Sequence, residues 1–217
     1  MMLNVDVFLF DFDGTLIEPT IDFDLMHRKV LKIVRDFGVA DRSLRQLHTL
    51  ETVETVEARL RDDHGAREEF LKRVHASILD LELEAAEHAH AYPGVPEMLD
   101  ELATRGFGVG IVTRNSRAAV MRILRRFPLH YDVLLTRDDV AHVKPDPRHL
   151  LRALEHFSEG RRRAAMCGDH PMDVVVGKRI GALTVGVLQP GMSEERFAGV
   201  DPDLVVSHPP ELLEYVG

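Results

Sequence analysis

Val5-Asp6-Val7-Phe8-Leu9-Phe10-Asp11-Phe12-Asp13-Gly14-Thr15 is the stretch on which the reading of this chain turns. A short apolar run that ends abruptly in polar residues and glycine is the pattern of a strand buried on both faces. On a strand, residues i and i+2 share a face, so Asp11 and Asp13 at its end bring two carboxylates toward one point. Two such acids repel one another and bind a hard cation well. Gly14 permits a tight turn directly afterwards. The alternative is an ordinary polar turn, in which Asp, Gly and Thr are common. The apolar run is too short for a signal peptide's apolar segment and leads straight into acids, so it is expected to be a strand of the mature protein.

Working outward, further apolar runs occur at residues 108–112, 133–135, 164–167 and 183–188, with a weaker one at 204–206. Amphipathic stretches at 95–104, 116–127, 147–157 and 171–180 lie between them. This alternation predicts an α/β fold, a Rossmann-like parallel sheet with helices on both faces. Such sheets carry their binding residues at the carboxyl ends of the strands, at the topological switch point. Residues 19–91 break the pattern and read as helices near 24–37, 43–61 and 66–90. Leu25, Val30, Leu31, Val34 and Phe37 fit helical spacing, Leu44, Leu47, Leu50, Val53 and Val56 less cleanly, and Gly38 and Gly65 supply stops. The organisation expected is a core of residues 1–18 and 92–217 with a helical cap, 19–91, inserted after the first strand. Tyr92-Pro93-Gly94 marks the return to the core.

Composition narrows the function classes. No segment approaches the ~18 consecutive apolar residues of a membrane span, so no membrane partner is expected. Cys167 is the only cysteine, which excludes an intrachain disulfide and a cysteine zinc site and makes the cytoplasm the simplest location. A formal charge of −9 argues against nucleic acid as a partner. It does not exclude a phosphorylated substrate, because a metal ion reverses the field within one cleft. None of the twelve histidines belongs to a His-Glu-x-x-His set. His88 and His90, two apart on an expected helix, point to different faces and read as solvated.

Later segments complete a set. Thr113 follows the run at 108–112; Lys144-Pro145-Asp146-Pro147 follows the third run; Gly168-Asp169-His170-Pro171-Met172-Asp173 follows the fourth. With Asp11-Phe12-Asp13-Gly14-Thr15, these resemble in order the four motifs of the haloacid dehalogenase (HAD) superfamily. The insertion resembles the C1 helical cap of its phosphoglycolate phosphatase-like branch. The resemblance implies a phosphatase acting on a small phosphorylated metabolite, phosphoglycolate-like, through an aspartyl-phosphate. It implies Asp11 as nucleophile and Asp13 as the acid that protonates the leaving oxygen and then deprotonates water. It implies Mg²⁺ held by Asp11, the Asp13 carbonyl and Asp169, with Asp173 one helical turn on orienting the metal shell. Thr113 would donate to a phosphoryl oxygen, and Lys144 would neutralise Asp11 and the transferring group. The cap would close over the site and exclude water; Thr20, Asp22, His27 and Arg28 are candidate contacts near its entrance, against the simpler reading of solvated helix surface.

Some positions stay open. Asn115 reads as the cap of the following helix, with any phosphate contact secondary. Arg114 stands where many relatives have a neutral residue and either binds an anionic substrate or faces solvent. His170, followed by Pro171, departs from the family's small hydroxyl residue or Asn, and reads as a group near the metal or leaving group or as a solvated loop histidine. A phosphosugar mutase shares the motifs; a hydrolytic dehalogenase lacks the second acid, present here as Asp13. A phosphate-accepting signalling module has neither that acid nor a helical insertion of this size.

Overall fold

In a computed structural model, residues 2–158 and 163–217 are described. The apolar runs form β1 (Val7–Phe10), β2 (Gly108–Val112), β3 (Val133–Leu135), β4 (Ala164–Gly168), β5 (Leu183–Val187) and β6 (Leu204–Val206). The helices are α1 (Phe23–Asp36), α2 (Thr49–Arg59), α3 (His64–His88), α4 (Val95–Thr104), α5 (Arg117–Arg126), α6 (Arg148–Leu154) and α7 (Pro171–Arg179). Among the described residues no helix is long and apolar enough to cross a membrane. The described chain divides into two compact units, Met1–Pro19 with Ala89–Gly217, and Thr20–His88.

The first unit is a six-stranded parallel sheet in the order β3-β2-β1-β4-β5-β6. Its inner strands are apolar on both sides because helices cover both faces. Val7 and Leu9 of β1, with Val112 and Met166, pack against Leu150 and Ala153 of α6 and Val176 of α7. Phe8 and Phe10 have the opposite parity, and the Phe8 ring meets Phe107 edge-on at 5.4 Å. Right-handed crossovers give the same layering: α4 and α5 serve strands laid outward from β1 toward β3, whereas α7 serves strands laid the other way. The order reverses between β1 and β4, so the crevice at their carboxyl ends is the switch point, where Asp11 and Asp169 emerge.

The second unit holds α1, α2 and α3. Met26, Val30 and Val34 of α1 bury against Phe70, Val74 and Ile78 of α3, with Val53 and Val56 of α2 completing the core. The Phe37 ring meets Phe70 edge-on at 5.4 Å, and the Arg73 guanidinium lies 5.5 Å from the Phe37 centroid. The expected single helix over 43–61 is interrupted. A short 3₁₀ turn, Arg42–Gln46, is capped by Asp41, whose carboxylate accepts from Ser43 N–H at 2.8 Å and Ser43 Oγ at 2.7 Å. Leu47 and His48 are extended, and α2 starts afresh at Thr49. Leu47, counted as apolar face in the sequence, is exposed, while Leu44 is buried in the core. The local cap overrides the helical period, as capping by Asp and Ser commonly does.

Candidate active site

The loops that leave the carboxyl ends of β1, β3 and β4 each contribute polar side chains to one crevice. Asp11 follows β1 directly; Lys144 lies between β3 and α6; Asp169 and Asp173 come from the turn after β4 and the first turn of α7. One carboxylate oxygen from each of Asp11, Asp169 and Asp173 lies within 4.8 Å of the others. Lys144 Nζ joins two of them, donating to Asp11 Oδ1 at 2.7 Å and Asp173 Oδ1 at 2.8 Å. The Lys144 side chain is 2% exposed and that of Asp173 4%, whereas Asp11 keeps 13% of its surface open.

The electrostatics follow from crowding acids in a dry site. Burial raises the Asp11 pKa above the usual carboxylate range; Lys144 opposes the shift and Asp173 adds to it. Burial, with the nearby charges of Asp11 and Asp173, pushes Asp169 up to about 7 against the pull of Arg196 and Lys144. Burial alone would lower the Lys144 pKa, but Asp11 and Asp173 outweigh it and hold the ammonium above its ordinary value. Three carboxylates thus face two cations, Lys144 and Arg196, and the excess negative charge suits a divalent ion. Oxygen donors that converge in this way fit Mg²⁺, a hard cation.

Asp13 is engaged elsewhere. Asn115 Nδ2 donates to its two carboxylate oxygens at 3.0 and 3.2 Å, and Thr113 Oγ1 donates at 3.3 Å. Thr113 Oγ1 also accepts from Asn115 N–H at 3.0 Å. The acids two residues apart therefore have separate partners: Lys144 for Asp11, and the β2–α5 turn for Asp13. Asn115 is not the cap of α5; Ser116 is, its hydroxyl accepting from Ala119 N–H at 3.3 Å. Freed from capping, the Asn115 amide turns to Asp13. Arg114 Nη1 contacts Met172 Sδ at 3.2 Å.

Gly14 adopts φ +87°, and a Cβ there would sit 2.8 Å from Asp169 Cγ, so conformation and space both require glycine. Thr15, fully buried, ties the same turn to the β4 loop: its hydroxyl accepts from Asp169 N–H at 3.0 Å. His170 resolves as a helix cap. Its Nδ1 accepts from Met172 N–H at 3.1 Å, and Asp173 Oδ2 accepts from His170 N–H at 3.3 Å in a reciprocal box. Asp173 thereby uses one oxygen to start α7 and the other to hold Lys144.

Two residues in the cluster escaped sequence reasoning. Gln189 Nε2 donates to Asp169 Oδ2 at 2.7 Å, and Arg196 Nη2 donates to the same oxygen at 3.0 Å. Arg196 Nε also donates to the Asp169 carbonyl at 2.5 Å, so one guanidinium grips both main chain and side chain. His149, fully buried in α6, accepts Lys144 N–H on Nδ1 at 3.2 Å. Burial, and then the Lys144 charge, lower its pKa to about 3, which keeps that nitrogen an acceptor.

Comparison with known proteins agrees with this architecture. A family model described as haloacid dehalogenase-like hydrolase matches residues 8–187. The pyrophosphatase PpaX of Anoxybacillus flavithermus is 29% identical over 223 aligned residues, covering 99% of this chain and 98% of its own. That of Halalkalibacterium halodurans is 35% identical over 138 residues, 60% of this chain and 64% of its own. The first three relatives are matched over only 58–64% of their own length. Among solved structures, a hydrolase from Pseudomonas syringae superposes with a TM-score of 0.71 at 21% identity, covering 97% of each chain. A HAD-superfamily hydrolase of subfamily IA from Geobacter sulfurreducens gives 0.60 at 25%, covering 98% of this chain and 97% of its own. With its four polar segments gathered at the switch point of a parallel sheet, the chain belongs to the haloacid dehalogenase-like hydrolases.

Proposed function

We propose that this protein is a Mg²⁺-dependent phosphatase that hydrolyses a small phosphorylated metabolite through an aspartyl-phosphate on Asp11. The observation that carries the reading is the Lys144 ammonium held between Asp11 and Asp173 beside Asp169, four charged groups converging at the switch point. Asp11 is the most open carboxylate of the three, as a nucleophile must be. Its free oxygen attacks phosphorus and the bond to the leaving oxygen breaks. Asp13 delivers a proton to that oxygen, then takes one from the water that hydrolyses the acyl phosphate. Asn115 and Thr113 aim the Asp13 carboxyl for both transfers. Lys144 holds Asp11 in one orientation and offsets charge that builds on the phosphoryl oxygens.

Asp11 and Asp169, with the Asp13 carbonyl, would hold the metal; Asp173, the third acid of the cluster, would orient them through Lys144. When bound there, Mg²⁺ supplies charge neutralisation for the phosphoryl group. The helical unit, residues 20–88, serves in this reading as the cap. The names of the PpaX relatives make pyrophosphate a substrate to test beside phosphoglycolate.

The test is phosphate release from pyrophosphate and a panel of small phosphomonoesters, with Mg²⁺ and with excess EDTA. Turnover that needs Mg²⁺ and disappears in Asp11→Asn supports the reading and names the substrate class. Metal-independent turnover, or turnover that survives Asp11→Asn, overturns it.

A further inference from the structure

A charge imbalance of the opposite sign lies in the helical unit. Arg28 and Arg35 stand seven residues apart on α1, two turns along one face. Arg42 and Arg45 stand three apart in the following 3₁₀ turn, where side chains at that spacing eclipse. All four line one cleft of about 580 Å³ with Leu31, Val39 and a single carboxylate, Asp41. Among the described residues, none of the four guanidinium groups makes an ion pair or a hydrogen bond. The acids that lie beside them in sequence are committed elsewhere: Asp36 to Arg73 at 2.5 Å, and Asp41 to Arg59 at 2.6 Å and to the Ser43 turn.

In a chain of net charge −9, gathering four unneutralised cations around one concavity runs against the average composition. The arrangement repels itself until an anion enters, and a concave site strengthens the field that an anion meets. Guanidinium is the side chain best matched to phosphate oxygens, which it can bind in pairs. The partly buried Leu31 and Val39 add an apolar surface to the same cleft. Its volume falls in the range of small-molecule sites, ~300–1,000 Å³, and not of an extended macromolecular surface. We propose that this cleft is a second anion site that binds an organic polyphosphate, with phosphates on the four arginines and the apolar body over Leu31 and Val39. It is separate in sequence from the carboxylate cluster and independent of the chemistry assigned there.

The experiment is calorimetric titration of the whole protein in EDTA with ATP and, separately, with inorganic tripolyphosphate. In EDTA the carboxylate cluster lacks its metal and repels both probes, so the result does not depend on whether that cluster hydrolyses anything. ATP is expected to bind one to one, more tightly than tripolyphosphate, and to weaken about tenfold or more in R28Q/R35Q/R42Q/R45Q. Arg35→Gln alone, a single exposed position, should weaken it severalfold without changing the melting temperature. The proposal is overturned if wild type binds neither probe, or if the fourfold variant binds ATP as wild type does. Tripolyphosphate binding at least as tight as ATP would overturn the assignment of an organic ligand. Tight binding of a nucleic-acid oligomer without ATP competition would replace the small-molecule reading altogether.

Discussion

The two units solve opposite charge problems. Three carboxylates of the α/β unit are packed against two cations, nearly all of it out of water. In the helical unit, four guanidinium groups line an open cleft whose one carboxylate, Asp41, is paired with Arg59 instead. Burial is what separates the cases. An unmatched charge in a dry site shifts its pKa or takes a counterion, whereas one at the surface is screened and merely attracts. The first arrangement therefore suits a bound cation and, on the function proposed above, chemistry; the second suits only the binding of an anion, since it holds no group that could break a bond.

The largest effect that would sharpen this contrast is at the nucleophile. Asp11→Asn is expected to lower kcat by a factor of 10³ or more (~4 kcal/mol in the barrier) without lowering the melting temperature, because it also relieves acid crowding. Asp13→Asn should lose nearly as much turnover while retaining metal binding, measured by titration with Mn²⁺. Equal activity in either variant would break the contrast between a reactive and a merely binding region.

Next is the buried cation. Lys144→Met strands Asp11 and Asp173 without their counterion, a change that costs ~3–5 kcal/mol when a buried pair loses one member. Urea unfolding in EDTA should show that loss, and Mg²⁺ should restore part of it. A smaller effect belongs to Arg196. Removing a group that orients a ligand residue typically weakens metal binding ~10-fold or more, so Arg196→Gln should shift Mn²⁺ titration to higher concentration, with Arg196→Lys in between. Unchanged affinity would show that Gln189 suffices to hold Asp169.

The smallest effect is a pH slope. His149 has its folded pKa lowered to about 3 from an ordinary value of 6.5, so between those values the unfolded chain holds the extra proton. Stability then falls as pH drops through this window and is complete again above about 6.5. His149→Asn, which keeps an acceptor for Lys144 N–H, should flatten the fall in urea stability between neutral and mildly acid pH. An unaltered slope would mean that carboxylates alone govern acid unfolding.

Most of the sheet was legible because inner strands of a parallel sheet must be apolar throughout, so the run at 108–112 ends where its strand does. Helical spacing served α1 well but carried a helix through Leu47 and His48, because a periodic pattern is blind to an Asp41 cap. Asp11, Asp169 and Asp173 could be picked out since each directly follows a strand or opens a helix, and Lys144 by its place in Lys144-Pro145-Asp146-Pro147 between β3 and α6. Gln189 and Arg196 could not: one lies in the loop after β5 and the other in a short 3₁₀ turn, Glu194–Phe197, 20 and 27 residues beyond Asp169, with no period to flag them. Asn115 and Ser116 are both good caps, and only the pull of Asp13 decides between them.

The register of β1 has a consequence for synthesis. Val7 pairs with Gly108 on one side and with Ala164 on the other. The strand at the heart of the sheet is thus translated before either of the strands that flank it. The contiguous helical unit has emerged whole before either partner exists. Domains tend to form as they emerge, so on the ribosome the helices should be complete while Phe8, Leu9 and Phe10 still lack their neighbours. An apolar strand left waiting with open edges is what chaperones bind and what aggregates in their absence. The yield of this protein in a cell should therefore depend on how promptly β2 and β4 follow β1, more than on the stability it reaches once finished.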